Sequence, residues 1–171
     1  MKYFNGFSLH NEEKIFDDYF AKSDYTVVGF SYGAQQAFEY VYASKKRIDK
    51  LILLSPAFFQ TQKSSFVRTQ LHYFEAGKEA YVKQFLSNVS YPSDIDLSEY
   101  LNVGTKEELK ALLTYVWDEK KIQGLLDRGT TIEVFLGEED KILDAQEAMN
   151  FFKKRCTLYS IKKSGHLLLE N

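Results

Sequence analysis

The stretch Gly29-Phe30-Ser31-Tyr32-Gly33 decides how the rest of the chain is interpreted. It ends a run of β-branched and aromatic residues, 25–30, that is typical of a buried strand, and it precedes residues 34–43, which have the composition of a helix. Glycines on both sides of a serine suit a chain that turns abruptly from strand to helix, because the backbones approach too closely for side chains. The pattern therefore predicts a sharp turn that presents the Ser31 hydroxyl.

Ser31 has two interpretations at this point. At the N-terminus of a helix, free N–H groups and the helix dipole favour negative charge, which makes Ser31 a candidate nucleophile. A serine in the same place can instead cap the helix, with Gly33 present only for packing. The stretch by itself leaves both interpretations open.

Composition limits the class of protein. The 171 residues predict one domain with room for an inserted lobe, and 22 basic against 24 acidic residues do not indicate a nucleic-acid partner. Cys156 is the one cysteine, so no internal disulfide can form, which favours a reducing cytosol. The chain starts without a signal-peptide pattern and has no apolar run long enough to cross a membrane. We therefore expect a cytoplasmic protein without a membrane segment.

Hydrophobic patterning predicts a parallel sheet. Residues 50–54 read Lys-Leu-Ile-Leu-Leu, an apolar run without alternation, as expected for a strand covered on both faces. Strand, helix and strand within about thirty residues form a βαβ unit. The predicted strands are residues 2–4, 25–30, 50–54, 131–136 and 157–161. Helices are predicted outside the lobe described below at residues 11–20, 34–43 and 142–152.

Residues 58–129 have a different character. Their pattern is helical and amphipathic, with no strand-like run of comparable strength, and it predicts four helices. One of them opens with a capping box, Thr105 to Glu108. The expected organisation is a core of residues 1–57 and 130–171 with a helical insertion at 58–129.

Two further residues follow predicted strands in the same way as Ser31. Asp140 lies in the loop after strand 131–136, and His166 in the loop after strand 157–161. Loops at the carboxyl ends of parallel strands meet in one crevice, so the three residues are expected to converge. Glu138, Glu139 and Asp144 compete with Asp140 for the role of the acid. His10 and His72 lack a comparable position.

Serine, acid and histidine in this order resemble the α/β-hydrolase family from about Tyr3 to the end of the chain. The resemblance implies a reduced α/β-hydrolase fold, with a mostly parallel sheet of about five strands and residues 58–129 as a helical cap before the strand that precedes the acid. It implies Ser31 as nucleophile, His166 as base and Asp140 as acid, since Gly-x-x-Asp followed by Lys-Ile is similar to the family's acid loop. No cofactor or metal is implied.

The resemblance also implies an oxyanion hole, a pair of N–H donors for the developing negative charge. One donor is the backbone N–H of Tyr32, the residue after the nucleophile. Asn5-Gly6-Phe7 is similar to the family's His-Gly-aromatic turn, which suggests the Phe7 N–H as the second donor, although Asn5 replaces the usual histidine.

Within the family, the turn Asn5-Gly6-Phe7, the turn Gly29-Phe30-Ser31-Tyr32-Gly33 and the four-helix cap resemble the carboxylesterases of biotin synthesis that demethylate pimeloyl-acyl-carrier-protein methyl ester. The very short N-terminal half is similar to a compact form from ε-proteobacteria. This implies an acyl-carrier protein as partner. Alternatives are a general short-chain esterase or thioesterase, and a hydrolase-fold binding protein without activity. The candidate substrate or carrier contacts are Phe30, Lys63, Arg68, Lys78 and Lys83.

Overall fold

The computed structural model describes the whole chain, residues 1–171, and is built around one five-stranded sheet. The strands are β1 (Lys2–Phe4), β2 (Thr26–Phe30), β3 (Lys50–Leu54), β4 (Thr131–Gly137) and β5 (Thr157–Ile161). They lie side by side in the order of the sequence, each parallel to its neighbour. The predicted sheet of about five strands is confirmed, and every pairing in it is parallel.

Six α-helices accompany the sheet. Segment 58–129, between β3 and β4, contains four of them and contributes no strand to the sheet. The helices are α1 (Tyr32–Ala43), α2 (Ser64–Ala76), α3 (Lys78–Ser90), α4 (Lys106–Thr114), α5 (Glu119–Asp127) and α6 (Ala145–Phe152). Two 3₁₀ helices, Glu12–Tyr19 and Ser98–Tyr100, complete the set. None of the helices is long and apolar enough to span a membrane.

The core has two parts because side chains alternate across the sheet. Val27, Leu51 and Leu53 point to one face, where they join buried residues of α1, α5 and α6 in one cluster. Val28 and Ile52 point to the other face, where the 3₁₀ helix Glu12–Tyr19 and the residues after β5 cover them. Both faces of β2 and β3 are therefore buried, which explains their unbroken apolar sequences.

Two helices differ from their predictions. The helix expected at 11–20 is a 3₁₀ helix, and it carries Asp17 and Asp18 in its last turn, where negative charge opposes the helix dipole. The helix expected from residue 142 begins only at Ala145, because the Asp144 side chain accepts a hydrogen bond from the Glu147 N–H and caps the helix there.

Gly33 is the point where α1 packs against the end of β1. A Cβ at Gly33 would overlap with the carbonyl oxygens of Phe4 and Asn5, which are backbone atoms that cannot move aside. We expect Gly33→Ala to lower the free energy of unfolding by about 3 kcal/mol, measured by urea denaturation.

Gly124→Ala is the matched control for Gly33→Ala. Gly124 lies in α5, and the nearest atom to its added Cβ is a Tyr42 ring carbon at 3.8 Å. Alanine favours helix over glycine, so this variant should be unchanged or more stable by up to about 1 kcal/mol. Equal stability of the two variants would contradict the close packing at Gly33.

Candidate active site

Ser31 occupies a strained turn between β2 and α1. Its backbone has φ 53° and ψ −113°, a conformation that a residue with a side chain rarely adopts. A Cβ at Gly29 would overlap with the backbone of Gly33, so the close approach predicted for these two glycines is present. The Ser31 side chain makes no capping hydrogen bond to α1. The helix-cap interpretation of Ser31 therefore does not describe this turn.

His166 joins Ser31 to Asp140. Its Nε2 lies 2.8 Å from Ser31 Oγ, and its Nδ1 lies 2.6 Å from Asp140 Oδ2. Ser31 is 2% exposed, and the side chains of His166 and Asp140 are fully buried. A neutral imidazole in this position donates its Nδ1–H to the carboxylate and accepts the serine hydroxyl proton at Nε2. The three side chains therefore form one continuous hydrogen-bonded chain shielded from water.

The loops that carry this chain are held by further hydrogen bonds. Asp140 Oδ1 accepts the N–H groups of Ile142 and Leu143, at 2.7 and 3.2 Å, which fixes the carboxylate within its own turn. The buried Ser55 hydroxyl donates to the backbone oxygen of His166 at 2.6 Å. The Asp140 carboxylate and the His166 backbone thus have anchors of their own.

The other acidic candidates lie elsewhere. Asp144 caps α6, Glu138 accepts a hydrogen bond from the Ser160 hydroxyl at 2.7 Å, and Glu139 is exposed. Of the four acids that the sequence left open, Asp140 is the one that contacts His166.

The two candidate oxyanion donors have free N–H groups. Tyr32 is the first residue of α1, so its N–H has no acceptor within the helix. The Phe7 N–H donates to no other group of the protein. Gly33 packs directly against the backbone that precedes Gly6, which places the turn of residues 5–7 beside the N-terminus of α1.

The remaining candidate residues have different surroundings. Phe30 is 1% exposed and packs in the core against Phe16 and the His166 ring, which leaves no surface for a substrate. His10 bonds to the Tyr100 backbone oxygen, and His72 is exposed. The four candidate cations of segment 58–129 are all exposed, and none forms an ion pair: Lys63, Arg68, Lys78 and Lys83.

Cys156 is half-buried, and burial raises the pKa of its thiol to about 12. It therefore carries very little thiolate, the reactive form, near neutral pH. No group of three or more His, Cys, Asp or Glu side chains is arranged to bind a metal ion.

A cavity of about 600 Å³ lies among α2, α3 and α4. Eleven of its 16 lining residues are hydrophobic, and it reaches Ile142, two residues beyond Asp140. Phe85 lines it and packs edge-on against the Phe7 ring, with centroids 5.5 Å apart. The Phe7 ring also approaches Phe74 of α2, at 6.3 Å. The size and apolar lining are those of a small-molecule site.

Two contacts of the site were missed by sequence reasoning. The buried Glu12 carboxyl group accepts a hydrogen bond from the Gly6 N–H, and Ser55 holds the His166 backbone. Glu12 lies four residues before the buried Phe16, which places both on one face of the helix predicted at 11–20. This spacing could have indicated that the Glu12 side chain is buried. Nothing in the sequence distinguishes Ser55 from an ordinary serine after a strand.

Solved structures with the same architecture are known. No family model and no curated protein sequence matches the chain. An esterase from Exiguobacterium antarcticum superposes with a TM-score of 0.61 at 19% identity, over 82% of this chain and 59% of the esterase. BioG from Haemophilus influenzae gives 0.60 at 12% identity over 96% and 87%. MenH from S. aureus gives 0.56 at 14% over 96% and 85%.

The chain has the α/β-hydrolase fold. It spans between 53 and 59% of the length of the first three esterase and hydrolase structures that it matches. In the α/β-hydrolase fold the nucleophile turn follows a central strand, as Ser31 follows β2 here. The sheet is reduced as predicted, because β1 pairs directly with β2 and only the 3₁₀ helix Glu12–Tyr19 lies between them in sequence.

Proposed function

We propose that this protein is a serine carboxylesterase in which Ser31, His166 and Asp140 form the catalytic triad. The observation that carries the proposal is the buried chain from Asp140 through His166 to Ser31, with bonds of 2.6 and 2.8 Å. Each member contacts the partner that its chemistry needs, because the serine hydroxyl faces a base and the base faces a carboxylate.

The proposed reaction uses this geometry in two stages. His166 Nε2 accepts the Ser31 proton as Oγ attacks the ester carbonyl carbon, and Asp140 stabilises the imidazolium that forms. Collapse of the tetrahedral intermediate breaks the bond to the alcohol oxygen, which takes the proton from His166 and leaves. Water then attacks the acyl carbon while His166 accepts its proton, which gives a second tetrahedral intermediate. Collapse of this intermediate breaks the bond between the acyl carbon and Ser31 Oγ, Oγ takes the proton from His166, and the acid product departs. The Tyr32 and Phe7 N–H groups would hold the negative oxygen in both intermediates.

For the substrate, we propose the methyl ester of pimeloyl-acyl-carrier protein, with methanol as the leaving alcohol. The support is the sequence resemblance in the turn at residues 5–7, the turn at Ser31 and the four-helix segment. The apolar cavity among α2, α3 and α4 would suit the aliphatic part of an acyl chain. The match to BioG extends over most of both chains.

The test compares esters side by side. The purified protein is incubated with pimeloyl-carrier-protein methyl ester, with a free methyl ester and with p-nitrophenyl esters, and methanol or p-nitrophenol release is measured. The proposal expects the highest kcat/KM for the carrier-bound ester. Faster turnover of the small esters would indicate a general esterase. A folded protein that cleaves none of them and that a fluorophosphonate does not label would be a binding protein instead.

We propose that four exposed cations form the surface that binds the acidic carrier protein. They are Lys63, which precedes α2, Arg68 in α2, and Lys78 and Lys83 in α3. The four cations named above have no carboxylate partner within the chain, so they are free to pair with another protein. Replacing all four with glutamate should raise KM for the carrier-bound ester at least about tenfold, because the substituted surface is then negative and repels the negative carrier protein. KM for p-nitrophenyl esters is the internal control and should not change. An equal effect on both substrates would contradict a carrier-binding role.

A further inference from the structure

Glu12 is a completely buried carboxyl group beside the turn of residues 5–7. Fully buried glutamates are rare unless the carboxyl group has a partner. Oε1 accepts the Gly6 N–H at 2.7 Å and has a longer contact, 3.4 Å, with the Tyr3 hydroxyl. Oε2 has no hydrogen-bond partner. The short bond to Gly6 is therefore the main interaction of this side chain.

Hydrogen bonds hold both peptide groups that flank Gly6, the Asn5–Gly6 peptide and the Gly6–Phe7 peptide. Glu12 accepts the Gly6 N–H, and the Gly6 carbonyl oxygen accepts the Leu9 N–H at 3.2 Å. In a planar trans peptide the N–H points away from the C=O of the preceding residue. Because the Gly6 carbonyl is directed at Leu9, the Phe7 N–H is directed the opposite way, and it is free.

We infer that Glu12 is a positioning residue for the esterase reaction: by accepting the Gly6 N–H, its carboxyl group fixes the Asn5–Gly6 peptide next to the Gly6–Phe7 peptide that Leu9 holds. With both peptide groups held, the Gly6 backbone cannot rotate freely, and the Phe7 N–H is preorganised as an oxyanion donor. The inference rests on the proposed function. Glu12 makes no hydrogen bond to Ser31 or His166, so it acts through the turn alone. Oxyanion donors are effective only when they are held in place before the charge develops.

The positioning role belongs to the acceptor oxygen of Glu12 and not to a negative charge. Burial raises the pKa of Glu12, which favours the neutral carboxyl group, while the hydrogen bond from Gly6 acts in the opposite direction. A glutamine at this position would keep an oxygen for the Gly6 N–H without any charge. Leucine would fill a similar volume without an acceptor, and alanine would remove both volume and acceptor.

The experiment measures kcat and KM on a p-nitrophenyl ester for Glu12→Gln, Glu12→Leu and Glu12→Ala, with thermal unfolding of each. Leucine and alanine should lower kcat by roughly 30- to 100-fold, somewhat less than removal of a whole donor, with KM within about twofold of the wild type. Glutamine should restore kcat to within about threefold. Glu13→Ala is the matched control, since the Glu13 carboxylate makes no hydrogen bond, and it should retain full activity.

A second readout is independent of catalysis. Amide hydrogen exchange followed by NMR should find the Gly6 N–H protected in the wild type and in Glu12→Gln, and exchanging faster in Glu12→Leu. A wild type without esterase activity would overturn the proposed function. If the wild type is active and Glu12→Leu is equally active, only the role of Glu12 is overturned. The same conclusion follows if Glu12→Leu loses kcat while its Gly6 N–H stays protected from exchange.

Discussion

A Ser31→Ala variant is expected to lose roughly 10⁴- to 10⁶-fold in kcat for ester hydrolysis while keeping its fold. The substitution removes the Oγ that lies 2.8 Å from His166 Nε2, so no acyl-serine can form. The backbone conformation of the turn depends on Gly29 and Gly33, which stay in place. Turnover of a p-nitrophenyl ester and covalent labelling by a fluorophosphonate measure the loss, and circular dichroism checks the fold.

The matched control for Ser31→Ala is Ser64→Ala. Ser64 is an exposed serine at the start of α2, far in sequence from the triad, and should be dispensable. Full labelling in this control together with none in Ser31→Ala would identify the labelled residue as Ser31. Labelling that persists in Ser31→Ala would place the nucleophile elsewhere.

Asp140→Asn should lower kcat by about 10⁴-fold with a small effect on KM. The carboxylate accepts the Nδ1–H of His166 at 2.6 Å and so keeps Nε2 unprotonated to receive the serine proton. A carboxamide can present its NH₂ group to Nδ1, which favours the tautomer with hydrogen on Nε2. That tautomer cannot accept the Ser31 proton. Stopped-flow or steady-state hydrolysis of a p-nitrophenyl ester measures the change.

Asp144→Asn and Glu138→Gln serve as controls for Asp140→Asn. Asparagine caps a helix about as well as aspartate, so α6 should keep its N-terminus. The Glu138 side chain bonds only to the exposed Ser160 hydroxyl. Both variants should retain activity within about twofold, since surface changes of this kind have little effect on folded proteins. A loss in either that equals the loss in Asp140→Asn would contradict the assignment of the acid.

The two strands at the centre of the prediction, β2 and β3, could be identified from the sequence because they are buried on both faces. Apolar runs such as residues 50–54 have few other uses in a domain of this size, and the turn at Gly29–Gly33 fixed where one strand ends. The local helix type could not be predicted in the same way. Residues 12–19 combine apolar and charged side chains in a pattern that is compatible with both α- and 3₁₀ helices, which differ in hydrogen bonding by one residue.

The meeting of Ser31 and His166 with an acid from the loop after β4 could be predicted from loop position, because parallel strands bring their carboxyl ends together. The choice among four acids in one loop could not be made with the same argument, since neighbouring residues of a turn point in different directions. Glu12 and Ser55 were missed for a related reason. Both act through a backbone group of another segment, and such partners are set by the packing of the whole chain.

Phe7 belongs to two parts of the molecule at once. Its ring packs with Phe74 and Phe85 of the helical segment, whereas its free N–H lies in the turn beside α1. Ser31 is almost fully covered, so in the proposed reaction some of the surrounding groups would have to move before an ester reaches Oγ. Phe7 thus links the packing of α2 and α3 to the turn that carries the candidate oxyanion donor. A substitution that repacks these helices around the Phe7 ring is therefore felt at the candidate site as well as in the core.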